Sequence, residues 1–286
     1  GYMFLASGCG DVTGAMFHLQ AHAFFKSLLF MCAGIMIQSC HEEHDIFRMG
    51  TALRRRMPGL TVLFACGAAA LAALPPTSGS FSKGRTLADA LAHPGPLFLV
   101  AFILGTVAAF LTALYVFRMF FVAFFSNPAD PAPLAPGDEE IVIARMQWPL
   151  WPLAALALGY GFINPPDFTG LKAWLDIYLV GTVTPSPPEV EHAELLVETL
   201  DAFVALAGLV LAGLLYRPSR HPTAARAGVL TAGLGLDGLY RRFVAAPYAR
   251  LAAALWRDVD EHLLDGAAMS SAAGIFGLSD TLRRVG

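Results

Sequence analysis

The sequence predicts an all-α, polytopic membrane helix bundle with one broken helix and a C-terminal amphipathic lateral helix. Three observations predict it. Of the 286 residues, 56% are hydrophobic before the 27 Gly are counted, and only 14% are charged; a soluble domain is roughly 45–50% apolar with Gly included and about 25% charged. The charges are bunched, so that long charge-free stretches alternate with short charged ones. Those stretches approach the roughly 20 residues that a hydrocarbon core of about 30 Å requires of a helix.

Five stretches are read as spans: residues 12–39, 60–74, 97–125, 148–163 and 195–216. With an N-terminal helix remnant they make residues 1–216 a transmembrane bundle, and residues 217–286 a lateral region. The second span runs into Pro75-Pro76-Thr77-Ser78-Gly79-Ser80-Phe81-Ser82-Lys83, and a short helical piece is expected to resume from about 86 to 92. Pro removes backbone donors, and irregular backbone at membrane depth survives only inside protein or against a water-filled cavity. The last region differs in kind. From 236 to about 263, Leu236, Tyr240, Phe243, Leu251, Leu255 and Val259 fall near one helical face, with Arg242, Arg250, Arg257 and Glu261 largely elsewhere. Too charged to span, this stretch is expected to lie along the membrane surface or against partner helices, roughly 40 Å long and kinked at Pro247.

Orientation follows from the cations if the spans alternate. The connections 41–57 and 118–147 and the tail from 217 hold fifteen, against three (Lys83, Arg85 and Lys172) in 76–95 and 165–191. The first set, and the lateral helix with it, is assigned to the cytoplasm; His221 and the Arg around it read as solvated surface. The start, Gly1-Tyr2-Met3-Phe4-Leu5-Ala6-Ser7-Gly8, has neither a secretory n-region nor an initiator Met, and reads as the tail of a helix in a longer chain. Cys9, Cys32, Cys40 and Cys66 form no C-x-x-C pair and read as small buried hydrophobes. A net charge of −3 and the absence of a basic-aromatic stripe argue against nucleic acid.

Three of the 19 cations are Lys (Lys26, Lys83 and Lys172), and the rest are Arg. Lys26 sits at the middle of the first span, with His18 and His22 two turns and one turn before it on one face. An ionisable residue at mid-membrane costs at least about 2.5–3.5 kcal/mol and is a functional candidate by default. Lys suits proton transfer because burial favours its neutral amine, whereas Arg stays charged; His titrates near neutrality and suits relay. The alternative is that the two His bond neighbouring helices. Lys83 is the second proton-site candidate, its alternative an interfacial Lys that snorkels, as Arg118 is read to do. His41-Glu42-Glu43-His44-Asp45 lacks H-E-x-x-H spacing, so no metal is assigned. No dinucleotide, P-loop, flavin or Fe–S pattern occurs.

The runs FHLQAHAFFKSLLFMCAG (17–34), HEEHDIFRMGTALRRRMP (41–58) and LAALPPTSGSFSKGRTL (71–87) resemble the antiporter-like subunit L family of bacterial NADH-quinone oxidoreductase, the counterpart of mitochondrial subunit 5 of respiratory complex I. LDGLYRRFVAAPYARLAAALWRDVDEHLLDG (236–266) resembles the start of that family's lateral helix. The resemblance implies a multi-pass subunit of the bacterial plasma membrane that translocates protons, and about the C-terminal half of a chain of some sixteen helices. It implies Lys26 as a central channel residue, Lys83 in the half-channel to the far side, and His18 and His22 connecting them. It also implies other antiporter-like subunits and membrane lipid as partners. No cofactor is implied in this chain; NADH, FMN, Fe–S clusters and quinone belong to partner subunits. One position departs from the pattern: where the family commonly has an acid after the second Lys, here stands Gly84, followed by Arg85, with Asp89 the next acid along. Two other functions fit the same residues, the large subunit of a Mrp-type sodium/proton antiporter and a mainly structural clamp acting through the lateral helix.

Overall fold

A computed structural model describes residues 1–134, 145–166, 169–179, 189–216 and 236–285. Every regular element among them is helical. The chain forms two compact units, Gly1–Pro222 and Thr223–Gly286. His221, Arg217, Arg220 and Arg226 lie outside the described residues.

In the first unit α1 (Tyr2–Gly8) leads into α2 (Val12–Ser39), which starts where the Asp11 carboxylate accepts the Gly14 N–H at 2.9 Å, a side-chain cap on an otherwise orphan donor. After a loop come α3 (Thr51–Arg56) and α4 (Pro58–Leu71), then α5 (Ser78–Ala92) and α6 (Pro96–Phe125). Pro58 and Pro96 stand in the first turns of their helices, where no backbone donor is needed. α7 (Leu150–Gly159) tightens into a 3₁₀ turn over Tyr160–Ile163; α8 (Trp174–Leu179) and α9 (Glu189–Leu215) follow. Among the described residues three helices, Val12–Ser39, Pro96–Phe125 and Glu194–Leu215, are long and apolar enough to cross a membrane. α4 and α5, with 14 and 15 residues, rise only about 21–23 Å each, so each alone falls short of a 30 Å core.

The break differs from the sequence expectation. It covers 72–77, and the second helix starts at Ser78 rather than near 86, so Lys83 lies on a helix. The Ser-rich run tolerates helix because its hydroxyls turn back onto backbone carbonyls: Ser80 to Thr77 at 2.9 Å, Thr86 to Ser82 at 3.0 Å, and Ser78 across to Ala157 at 2.6 Å. α4 ends in a Schellman motif, with Ala73 left-handed (φ 62°). Leu74 N–H donates to Ala69 O and Ala73 N–H to Ala70 O. Two of the orphan carbonyls of the helix end are thereby satisfied.

The core lies where α2, α4, α6 and α7 meet, around Phe25, Leu28, Leu63, Phe64, Phe124 and Leu150. A smaller cluster, Leu87, Ala88 and Val197, joins α5 to α9. α9 packs on α6 through small residues, Ala109, Ala113, Ala205 and Ala212 being fully buried. A Cβ on Gly208 would stand 2.6 Å from that of Ala113. Close approach over small residues is how helices associate where lipid removes the hydrophobic drive. Outward, α6 and α9 expose Leu97, Leu104, Leu111, Leu196 and Phe203.

The second unit is a helical run: α10 (Leu236–Tyr240), a π-helical stretch Arg241–Ala245, α11 (Ala246–Leu255), a second π-helical stretch Trp256–Asp265, and α12 (Gly266–Val285). It extends beyond the expected end near 263. The irregularity expected at Pro247 is the π stretch just before it: the ring excludes a carbonyl four residues back, and wider turns accommodate that.

Candidate functional site

His18, His22 and Lys26 occupy successive turns of α2, and the bundle surrounds them unequally. His18 is buried, and its Nδ1 shares a 3.0 Å hydrogen bond with Ser82 Oγ of α5. Its ring lies 5.6 Å from that of Tyr2 on α1 and 6.0 Å from that of His22. His22 is half-buried, edge-on to Phe25. Lys26, also half-buried, holds its Nζ 5.1 Å over the Phe30 ring. It opens on a cavity of about 270 Å³ lined by Phe30, Phe64, Leu71, Tyr115, His44 and Met49, among others. Lys26 is therefore less enclosed than its mid-span position suggests, and its cavity reaches the residues of the 41–57 connection.

Lys83 is 3% exposed. Its Nζ donates to Leu71 O, one of the carbonyls that the Schellman motif leaves unpaired. The negative end of α4 favours a cation at this point. The same Nζ lies 5.6 Å from the Tyr2 ring centroid. Leu71 thus joins the two lysines, since it lines the Lys26 cavity and its carbonyl accepts from Lys83. Ser82, next to Lys83, carries the link to His18. The helix break consequently brings Lys83 and His18 together, with Lys26 on the far side of Leu71.

The departure at Gly84-Arg85 resolves into two separate arrangements. Arg85 grips Asp11 with Nε at 2.8 Å and a second nitrogen at 3.2 Å, and reaches Asp176 of α8 at 2.7 Å. Asp89 lies beside Asp11 in this network. The carboxylate whose field acts on Lys83 is instead Asp201 of α9, 3% exposed. Sequence reasoning does not single out Tyr2, Ser82 or Asp201. Asp201 does carry a signal: with Glu198 it is an ionisable residue inside an apolar stretch, the criterion that marks Lys26.

Among the described residues no group of His, Cys, Asp and Glu is arranged to hold a metal, and the four Cys are free thiols. In the 41–48 loop Glu43 accepts the His44 and Asp45 N–H groups at 3.0 Å and pairs with Arg48, which also reaches Asp130.

Residues 1–112 match the family model for membrane segments of NADH:quinone oxidoreductase and Mrp antiporters. The chain is 36% identical over 268 residues, 90% of its length, to the NADH-quinone oxidoreductase subunit L of Pseudomonas aeruginosa, and 35% identical over 269 residues to that of Escherichia coli. It is 33% identical over 218 residues, 76% of its length, to the NADH-ubiquinone oxidoreductase chain 5 of Phytophthora infestans, of which it covers 32%. It covers 40% of each of the two bacterial relatives. With its broken helix, buried Lys and sustained identity to these proteins, the chain belongs to the family of antiporter-like membrane subunits of NADH:quinone oxidoreductase.

Proposed function

We propose that the chain carries one proton-transfer half-site of a respiratory NADH:quinone oxidoreductase, in which quinone reduction in partner subunits drives protons through this membrane subunit. The observation that carries the reading is the Lys83 ammonium, buried at the broken end of α4 on Leu71 O and set against the same Tyr2 ring as His18. A proton enters from the side of the 41–57 connection, where the Lys26 cavity has room for several waters. It passes from Lys26 by way of His22 and His18 to Ser82 and Lys83. Lys serves at both stations because its amine can lose and regain a proton, and the change of charge at one station shifts the next. Binding of NADH, FMN, Fe–S clusters and quinone falls to partner subunits. Other antiporter-like subunits and lipid surround the bundle in the bacterial plasma membrane, with the helical run from Leu236 on its cytoplasmic side.

The test is proton uptake by vesicles containing the assembled complex, measured against NADH oxidation. Lys26→Ala and Lys83→Ala are each expected to reduce protons moved per NADH sharply while the complex still assembles. Undiminished yield in an assembled Lys83→Ala complex would remove the half-site from the pathway. Transport that depends on sodium and proceeds without NADH oxidation would point to an antiporter instead.

A further inference from the structure

A buried carboxylate ordinarily accepts hydrogen bonds, since its desolvation is otherwise uncompensated. Neither oxygen of Asp201 has a hydrogen-bond partner. Asp201 lies where α9 packs on α5, and its charge acts on both Lys83 and Tyr2, the groups that flank each other at 5.6 Å. One turn towards the start of α9 stands Glu198. Its side chain occupies the space above Gly84: a Cβ on that glycine would lie 2.8 Å from Glu198 Cγ and 3.3 Å from its Oε1. The Glu198 Oε1 is buried and likewise without a hydrogen-bond partner. A further turn on is Glu194, also buried, close enough to act on Asp89 of α5. Spacings of three and four place the three acids on one face of α9, about 4.5 and 6 Å apart along its axis. The column starts at the level of Lys83 and runs to the end of α9 that meets the Asp89 turn of α5.

We propose that Asp201 takes the proton released by Lys83, and that Glu198 carries it on towards the start of α9. This rests on the reading of Lys83 as a proton site. In the first step an N–H bond of the Lys83 ammonium breaks and an O–H bond forms on Asp201; ammonium becomes amine, carboxylate becomes carboxylic acid, and no electrons are exchanged. Handing the proton to Glu198 restores the Asp201 carboxylate, and Lys83 is recharged from the His18–Ser82 side. Gly84 follows from the same arrangement, because a side chain there would fill the space that the Glu198 carboxyl needs. An acid placed directly after Lys83 is thus replaced by acids from a neighbouring helix.

The experiment measures protons moved per NADH in vesicles holding the assembled complex, for Asp201→Asn, Asp201→Glu, Glu198→Gln and Lys83→Ala. Expected are losses for Asp201→Asn and Glu198→Gln as large as for Lys83→Ala, with most of the yield kept by Asp201→Glu. Glu198→Gln separates a relay from a mere counter-charge, because it leaves both Lys83 and the Asp201 charge in place. Wild-type yield in either Asp201→Asn or Glu198→Gln, while Lys83→Ala is impaired, overturns the relay and spares Lys83. Wild-type yield in Lys83→Ala removes the underlying reading and the relay with it. Should Asp201→Asn fail to assemble, Lys83→Met is added to it: recovered assembly supports the pairing, with Glu198→Gln deciding the relay, and no recovery overturns the proposal.

Discussion

Lys83 donates to the Leu71 carbonyl and lies against the Tyr2 ring, within the field of the Asp201 carboxylate. Arg85, two residues on, is a clamp instead, its guanidinium held between α2 and α8 by two carboxylates. A charge that stays fixed suits that clamp, and an amine that can lose its proton suits the neighbouring position. Lys172 is exposed on the loop before α8, and nothing in its surroundings explains the choice of Lys. Outside the bundle, Glu43 gives a residue-scale prediction. The Asp45 N–H, then Arg48 and the His44 N–H, hold its carboxyl below the usual carboxylate range. A value depressed by folding means that Glu43 contributes to loop order above the ordinary Glu value of about 4.3, and that the contribution is lost as pH falls through the depressed one. Hydrogen-exchange protection of residues 41–48, relative to the unstructured chain at the same pH, is therefore expected to fall only as pH drops below the ordinary carboxylate range, and in Glu43→Gln to be low already at pH 7; pH-independent protection in both proteins would show that the carboxylate does not order the loop. Of the site, sequence makes His18, His22, Lys26 and Lys83 legible because ionisable groups stand out in apolar runs. Their partners are not legible: Leu71 O is a backbone atom twelve residues from Lys83, and Asp201 reaches it only through α9–α5 packing.

Long helices are the easiest elements to read, since residues 12–39, 97–125 and 195–216 are apolar over more than the length of a crossing, and their observed ends differ by at most one residue except at the start of α9, which lies six residues earlier. The break is harder. Gly and Ser in residues 78–84 read as loop by local propensity, yet hydroxyl-to-carbonyl bonds and packing against α7 and α9 make them helical. Gly79 shows how tightly α5 then sits on α4: a Cβ there would stand 1.7 Å from Ala70 O and 2.8 Å from the Ala70 carbonyl carbon. Both contacts are backbone, so a side chain can be admitted only by moving the end of α4, the same end that Lys83 holds. Gly79→Ala is expected to cost about 1–3 kcal/mol or more, in the range of overpacked cores, and to lower proton yield as Leu71 O shifts. Thermal unfolding of the purified complex and vesicle acidification would measure the two effects. An unchanged midpoint with full yield would mean that the break is looser than the 1.7 Å approach implies.

At the scale of the whole molecule the two units differ in how they are held. The core of the first, from Ala6 on α1 to Ala212 on α9, is made by its own residues, and it contains all of the lysines, histidines and acids assigned to proton transfer. In the second, no side chain of described burial between 238 and 284 is buried, and Leu239, Phe243, Leu251, Trp256, Ile275 and Phe276 are exposed. An isolated helix has little stability of its own in water, and this much apolar surface is the mark of a membrane or partner contact. The second unit is therefore expected to draw its stability from a membrane or partner surface, and the first to fold without it. Deleting residues 236–285 from the chain should then leave the bundle inserted in the membrane, with Lys83 still protected from water-soluble amine reagents, but absent from the assembled complex when membranes are resolved by native electrophoresis. NADH oxidation by the remaining subunits would continue with a lower proton yield. A truncated chain that assembles normally would refute this division of labour, and a bundle lost from the membrane would show that the first unit depends on the second after all.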